Sequence, residues 1–283
     1  MAEALEGIGS TTVRDMLRGP HRAARGLGGG PSALYFRLPE GDVIALLTSD
    51  AVRLPLGIVL GFSRTQRRLD RLTGPIIVGG GKVQVAGCAV ELSHVVSVQA
   101  PTRLTPDETA ARQLHAIVRT VEFAEHEPAL LDRLVREYQN PGIAGRLLGA
   151  GSGLTPSGDD ILAGFLVAAR SFELAIDRLR AAVLAEARDR TTDLSAALLA
   201  HASRGESIPQ VNALLAALCA PPTPAAQLDR AVAGLIRVGH TSGVALATGV
   251  ALAAAAWSHC GHGSGAEDVE VGRLAADLDT GIR

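Results

Sequence analysis

The hydrophobic pattern of this chain changes its period once, near Pro101, and that change constrains the fold more than any other feature. Up to about Ala100 the apolar residues fall in short runs separated by glycine turns. Ser32 to Leu38 and Val43 to Leu47 flank the turn Pro39-Glu40-Gly41-Asp42 and predict a hairpin. Pro75 to Val78, Lys82 to Val85, Cys88 to Leu92 and Val95 to Val98 are further β-rich runs, split by Gly79-Gly80-Gly81 and Ala86-Gly87. Ser63 to Leu72 reads as a helix or a polar connector. Closely spaced short strands of this kind predict a small sandwich or barrel.

Beyond Pro101 the spacing becomes helical. Thr105-Pro106-Asp107-Glu108 offers an N-cap, a proline at the first helical position and acids in the first turn. Leu114, Ile117, Val118 and Val121 then recur with a period near 3.6. Further helices are predicted over Pro128 to Tyr138, Ile161 to Leu174, Leu179 to Arg188, Asp193 to Ser203, Pro209 to Cys219, Pro224 to Val238 and Ser242 to His259. The Gly- and Asp-rich stretch from Gly261 to Arg283 reads as partly mobile. The expectation is an α+β protein: a β-rich module over 1–103 and an all-α domain over 104–283.

Charge excludes one large class of partner. Lys and Arg total 27 against 29 Asp and Glu, and only 3% of residues are aromatic. Neither counterion release nor base stacking has its raw material, so no nucleic acid is expected. The basic group Arg14, Arg18, His21, Arg22 and Arg25 reads either as a solvated face or as a small anion patch. The three cysteines, Cys88, Cys219 and Cys260, lack C-x-x-C spacing and read as buried structural thiols. Val244 to Trp257 is too short for a span of roughly 20 apolar residues and reads as a buried helix. With no charged-then-apolar leader, a cytoplasmic protein without membrane contact is expected.

Chemistry concentrates in Gly149-Ala-Gly-Ser-Gly-Leu-Thr-Pro-Ser-Gly-Asp-Asp160. Glycines at 149, 151 and 153 permit positive φ and close backbone approach to a ligand. Thr155 or Ser157 is suited to cap the following helix, whose first-turn N–H groups would form an anion site together with Gly151, Ser152, Gly153 and Gly158. The loop contains no lysine, which excludes a Walker A motif. A plainer reading also accounts for part of it: Ser157 and Asp160 as a capping box and the glycines as a turn. Carboxylates at Asp159 and Asp160 would repel a bound anion unless a cation bridges them or one is protonated. A divalent cation such as Mg held by both is one possibility; a general base or a group that orients a substrate amide is another.

The motif has an echo. Aligning Ser157-Gly158 with Ser242-Gly243 sets Gly164 opposite Gly249 and Ala168-Ala169 opposite Ala253-Ala254. Two small-residue helices of this kind would pack closely and bring both N-termini to one site, with Gly164 and Gly249 serving helix contact; chance similarity of two Ala/Gly-rich stretches is the alternative. His240, Thr241, Ser242 and Gly243 would then complete the pocket, His240 as a neutral donor or as a plain surface residue. Thr191-Thr192-Asp193-Leu194-Ser195 opens another helix, with Thr192 as N-cap.

Taken together, Gly-x-Gly-Leu-Thr-Pro-Ser-Gly-Asp-Asp, Thr-Thr-x-x-Ser and Gly-His-Thr-Ser-Gly resemble the AllH-like family, mainly between Asn140 and Gly249. That family includes a subunit of the oxamate carbamoyltransferase of anaerobic allantoin degradation, a branch of purine catabolism. The resemblance implies carbamoyl transfer between oxalurate and phosphate, giving oxamate and carbamoyl phosphate, in an oligomer that needs other transferase subunits. It implies Thr192 and Ser195 in the pocket, and catalytic roles for Asp159, Asp160 and His240. Val244-Ala245 depart from the family pattern, in which an acidic residue often follows closely after this Ser-Gly. A non-catalytic assembly or metabolite-sensing subunit, and a small-molecule phosphotransferase, are the alternatives.

Overall fold

In the computed structural model, which describes residues 3–120, 128–219 and 225–261, the strands come first and the helices follow. Eight strands, β1 (Glu3–Ser10), β2 (Arg22–Gly30), β3 (Ala33–Arg37), β4 (Val43–Leu47), β5 (Gly57–Leu60), β6 (Ile76–Gly79), β7 (Lys82–Val85) and β8 (Cys88–Val96), form a closed barrel in the order β1-β5-β4-β3-β2-β6-β7-β8. Closure joins β1 to β8 in parallel, with a register shift at Gly7/Ile8. A short helix, α1 (Thr11–Leu17), is capped by Ser10 and contributes Val13 and Leu17 to the barrel core beside Phe36, Ile44, Leu46 and Ile58.

β4 explains how the barrel meets the rest of the molecule. Its sequence is apolar throughout, as in a strand covered on both faces. Ile44 and Leu46 lie in the barrel core; Val43, Ala45 and Leu47 join a second cluster with Leu56 and Leu194, the latter from the helical region.

That region comprises α2 (Glu108–Thr120), α3 (Pro128–Glu137), α4 (Ala144–Leu147), α5 (Ser157–Ser171), α6 (Asp177–Arg190), α7 (Asp193–Ser203), α8 (Pro209–Leu218), α9 (Ala225–Ile236) and α10 (Ser242–His259). None of the helices is long and apolar enough to cross a membrane. α5 and α10 form its centre, buried on nearly every side. Their contact has the reciprocity that the aligned motifs imply. A Cβ on Gly164 would stand 2.3 Å from the Leu246 carbonyl oxygen, and one on Gly249 would stand 2.2 Å from that of Ile161. Ile161 and Leu246 are themselves aligned, so the two helices meet in an internally symmetric way.

The segment between barrel and helices is stitched to the turn after α7. Ser207 donates its amide to the Val98 carbonyl (2.9 Å), and Ala100 donates to that of Gly205 (2.7 Å). Several local expectations are corrected. Asp107, not Thr105, caps α2 by accepting the Ala110 amide at 2.8 Å. The N-cap position of α5 is Pro156, not Thr155 or Ser157, and it makes no side-chain cap hydrogen bond. Val95 to Val98 is no separate strand; Val95 and Val96 continue β8. Ser63 to Leu72 is a connector with one 3-10 turn at Leu69–Arg71. Cys88 is buried, but Cys219 is only partly covered and Cys260 is exposed. Val121, Pro224 and the stretch beyond Gly261 lie outside the described residues.

Candidate active-site cleft

Asp159 and Asp160 are adjacent and buried, with 1% and 6% of their surface exposed. Their surroundings differ completely. Asp159 accepts the Gly149 amide (2.8 Å) and the Ser195 hydroxyl (2.7 Å), and Thr191 donates a further short hydrogen bond to it. Both carboxylate oxygens are engaged, and the residue ties the glycine loop to the junction of α6 and α7. Hydrogen bonds to a charged group contribute about 1.5–3 kcal/mol each. Thr192 strengthens this junction: it caps α7 by accepting the Ser195 amide (3.0 Å) and donates to the Leu154 carbonyl (2.6 Å).

Asp160 has an oxygen, Oδ2, that is buried without a hydrogen-bond partner. Burial pushes its carboxyl up; hydroxyl contacts from Ser242 and Thr155 pull it down, and the Asp159 charge pushes it up again, to about 7. Near neutral pH this acid is thus divided between its two protonation states, the property required of a proton donor or acceptor. Thr155 Oγ1 and Ser242 Oγ lie 3.1 Å apart, joining the N-termini of α5 and α10 above it.

Asp160, Thr155 and Ser242 line a cleft of about 410 Å³ between the barrel and the helices. Its barrel wall comes from β3, β4 and the β4–β5 loop, including Tyr35, Asp50 and Leu54; its helical wall comes from α5, α7 and α10. Arg64 stands on the lining with its Nε 3.3 Å from Asp50 Oδ2. Glu206 also lines the cleft, but its carboxylate is fully used: Oε1 accepts from Thr12 (2.7 Å) and Gln99 (3.3 Å), and Oε2 from Arg204 (3.2 Å) and His201. Burial alone would raise this acid, yet His201, Thr12 and Arg204 together hold it at about 2.

The other sequence candidates fall around this cleft unevenly. Gly151, Ser152 and Gly153 form an exposed rim, with φ of +113° and +93° at the two glycines. They do not line the cleft, nor do His240 and Thr241, which are exposed. Ser157 is buried in the first turn of α5. The first-turn amides are not free, in contrast to the expectation: Gly158 donates to the Ala150 carbonyl (2.8 Å), and Asp159 and Asp160 donate to that of Pro156 (3.0 and 3.1 Å). Gly158 and Gly243 are packing positions. A Cβ would stand 2.1 Å from the Leu147 carbonyl oxygen in the first case and 2.0 Å from that of Leu235 in the second.

Among the described residues no three His, Cys, Asp or Glu side chains group as a ligand set for a metal ion. The basic residues near the start are ion-paired: Arg14 and Arg18 with Asp15, Arg22 with Glu40, and Arg25 with Asp193. Asp50 and Arg64 carry no sequence motif, the polar turn Thr48-Ser49-Asp50 between two apolar strands being the available signal, and Glu206 is marked only by partners from distant segments.

No curated protein and no solved structure matches the chain. The helical segment that supplies Thr155, Asp159, Asp160 and Ser242 is AllH-like: residues 147–254 match the family described as oxamate carbamoyltransferase subunit AllH.

Proposed function

We propose that the chain is a subunit of an oxamate carbamoyltransferase-type enzyme and that Asp160 is its proton-transfer group. The observation that carries this reading is the buried carboxyl of Asp160 on the cleft, with Oδ2 unpartnered, in an acid that titrates near neutrality. The ureido group of the substrate sits against Asp160. A phosphate oxygen attacks the carbamoyl carbon, the bond from that carbon to the oxamate nitrogen breaks, and its electron pair stays on nitrogen. Protonated Asp160 supplies the proton that nitrogen then needs, and the ionised carboxylate takes up the proton that phosphate loses. Atoms and charge balance without a further reactant.

Thr155 and Ser242 hold the carboxyl in place, and the Asp159 network keeps the loop before α5 in register. The amides of Gly151, Ser152 and Gly153, on the exposed rim a few residues before Thr155, serve the phosphate. Other transferase subunits are the expected partners. Asp159 acts here as a positioning residue, since its oxygens are occupied by protein donors.

The test is carbamoyl phosphate formation from oxalurate and phosphate by the enzyme assembled with its other subunits. Asp160→Asn should lower turnover at least 100-fold, the scale of general acid–base catalysis, while assembly persists. Turnover near that of the unaltered enzyme would sink the proposal.

A further inference from the structure

The cleft is larger and more apolar than oxalurate requires. Its volume of about 410 Å³ falls in the range of about 300–1,000 Å³ typical of sites for ligands with a substantial apolar body. Ala33, Leu47, Leu54, Val167, Leu198 and Leu246 supply much of its wall from both the barrel and the helices. A small, wholly polar acid placed there would give up hydration without receiving hydrogen bonds from these side chains.

Two polar groups on the cleft have hydrogen-bonding capacity to offer a ligand. Asp160 is buried, with Oδ2 unpartnered, and matches an N–H or carbonyl of a ureido group. Arg64 is the cation on the lining. Its bridge to Asp50 uses Nε, so among the described residues its two terminal nitrogens have no hydrogen-bond acceptor. A guanidinium edge of that kind fits a carboxylate. Of the three carboxyl acids on the lining, Asp50 is paired with Arg64 and Glu206 is fully bonded, which leaves Asp160 for a ureido group. With one guanidinium for a carboxylate and an apolar wall between two layers, it defines a ligand class.

We infer that the cleft takes a ureido acid with an apolar side chain, an N-carbamoyl derivative of an aliphatic amino acid, in preference to oxalurate. This rests on the reading of Asp160 as the group that meets the carbamoyl unit. The side chain lies on the aliphatic wall, the ureido group on Asp160, and the carboxylate on Arg64.

Calorimetric titration of the full chain tests this with four probes: N-carbamoyl-leucine, N-carbamoylglycine, oxalurate and N-acetyl-leucine. N-carbamoyl-leucine should bind at least about ten-fold more tightly than N-carbamoylglycine or oxalurate, from burial of its extra methyl and methylene groups. Ala33→Phe, which fills the cleft from the barrel side, should erase that difference. Oxalurate binding as tightly as N-carbamoyl-leucine would overturn the inference and leave the role of Asp160 standing. N-acetyl-leucine binding as tightly as N-carbamoyl-leucine, unaffected by Asp160→Asn, would overturn both. Absence of binding by any ureido acid would likewise overturn the inference.

Discussion

Gly249 lies against Ile161 so closely that a Cβ on the glycine would stand 2.2 Å from the isoleucine carbonyl oxygen, and the Phe165 amide nitrogen would be only 2.6 Å away. Both neighbours are backbone, so neither has a rotamer through which to retreat. Gly249→Ala must therefore push α10 away from α5. Overpacking of a tight interior costs about 1–3 kcal/mol, and a clash with fixed backbone belongs at the upper end. Denaturant unfolding should show a loss of about 3 kcal/mol with the slope unchanged. A loss below about 0.5 kcal/mol would contradict this packing.

Asp160 imposes a cost on the fold that varies with pH. Its carboxyl rises from 3.8 in the ordinary state to about 7 in the folded protein. A raised acid binds its proton more firmly when folded, so stability falls as pH rises from about 4 to 7 and the penalty is complete above that. Asp160→Asn removes the ionisation. The variant should gain on the order of 3 kcal/mol relative to the parent at pH 8, and much less at pH 5, in thermal unfolding at the two pH values. Equal differences at both would show that Asp160 is ionised throughout.

Glu206 works in the opposite sense. It is held at about 2 against an ordinary 4.5, so it stabilises the fold above pH 4.5 and that contribution disappears as pH falls toward 2. It also joins α1, through Thr12, to the end of α7. Glu206→Gln should cost on the order of 2 kcal/mol at pH 7, with the gap to the parent narrowing below pH 4.5 and closing near pH 2. A gap that stays constant between those values would rule out the ionised clamp.

Much of the helical region was legible because its signals are local. Thr192 caps α7, where Thr-Thr-Asp predicted it, and the apolar run of α10 begins at Ser242 and ends at His259. The β3–β4 hairpin follows from two short β-rich runs flanking a Pro-Glu-Gly-Asp turn. β2 was not legible: Arg22 to Gly30 contains four glycines and no β-branched residue, and it is a strand because β3 and β6 pair with it. β1 and β5 escaped for the same reason, being specified by barrel closure. At the site, two adjacent aspartates look equivalent in sequence. Only the partners brought from distant segments distinguish them, Thr191 and Ser195 for one and Ser242 for the other. The cleft itself exists between two layers and has no local signature.

The most direct test of Asp160 as the proton-transfer group is the pH dependence of carbamoyl transfer in both directions by the assembled enzyme. Carbamoyl phosphate formation needs the protonated acid, so its turnover should fall as pH rises through about 7. The reverse reaction runs through the same states, the acid protonating the departing phosphate before it takes up the oxamate proton. By microscopic reversibility it too needs the protonated acid and should fall through the same pH. Ser242→Ala removes a group that lowers the Asp160 carboxyl and should move both limbs upward. Two limbs that both fall near 7 and shift together in Ser242→Ala are the predicted result. Two profiles flat between pH 6 and 8, or limbs that persist in Asp160→Asn, would contradict it.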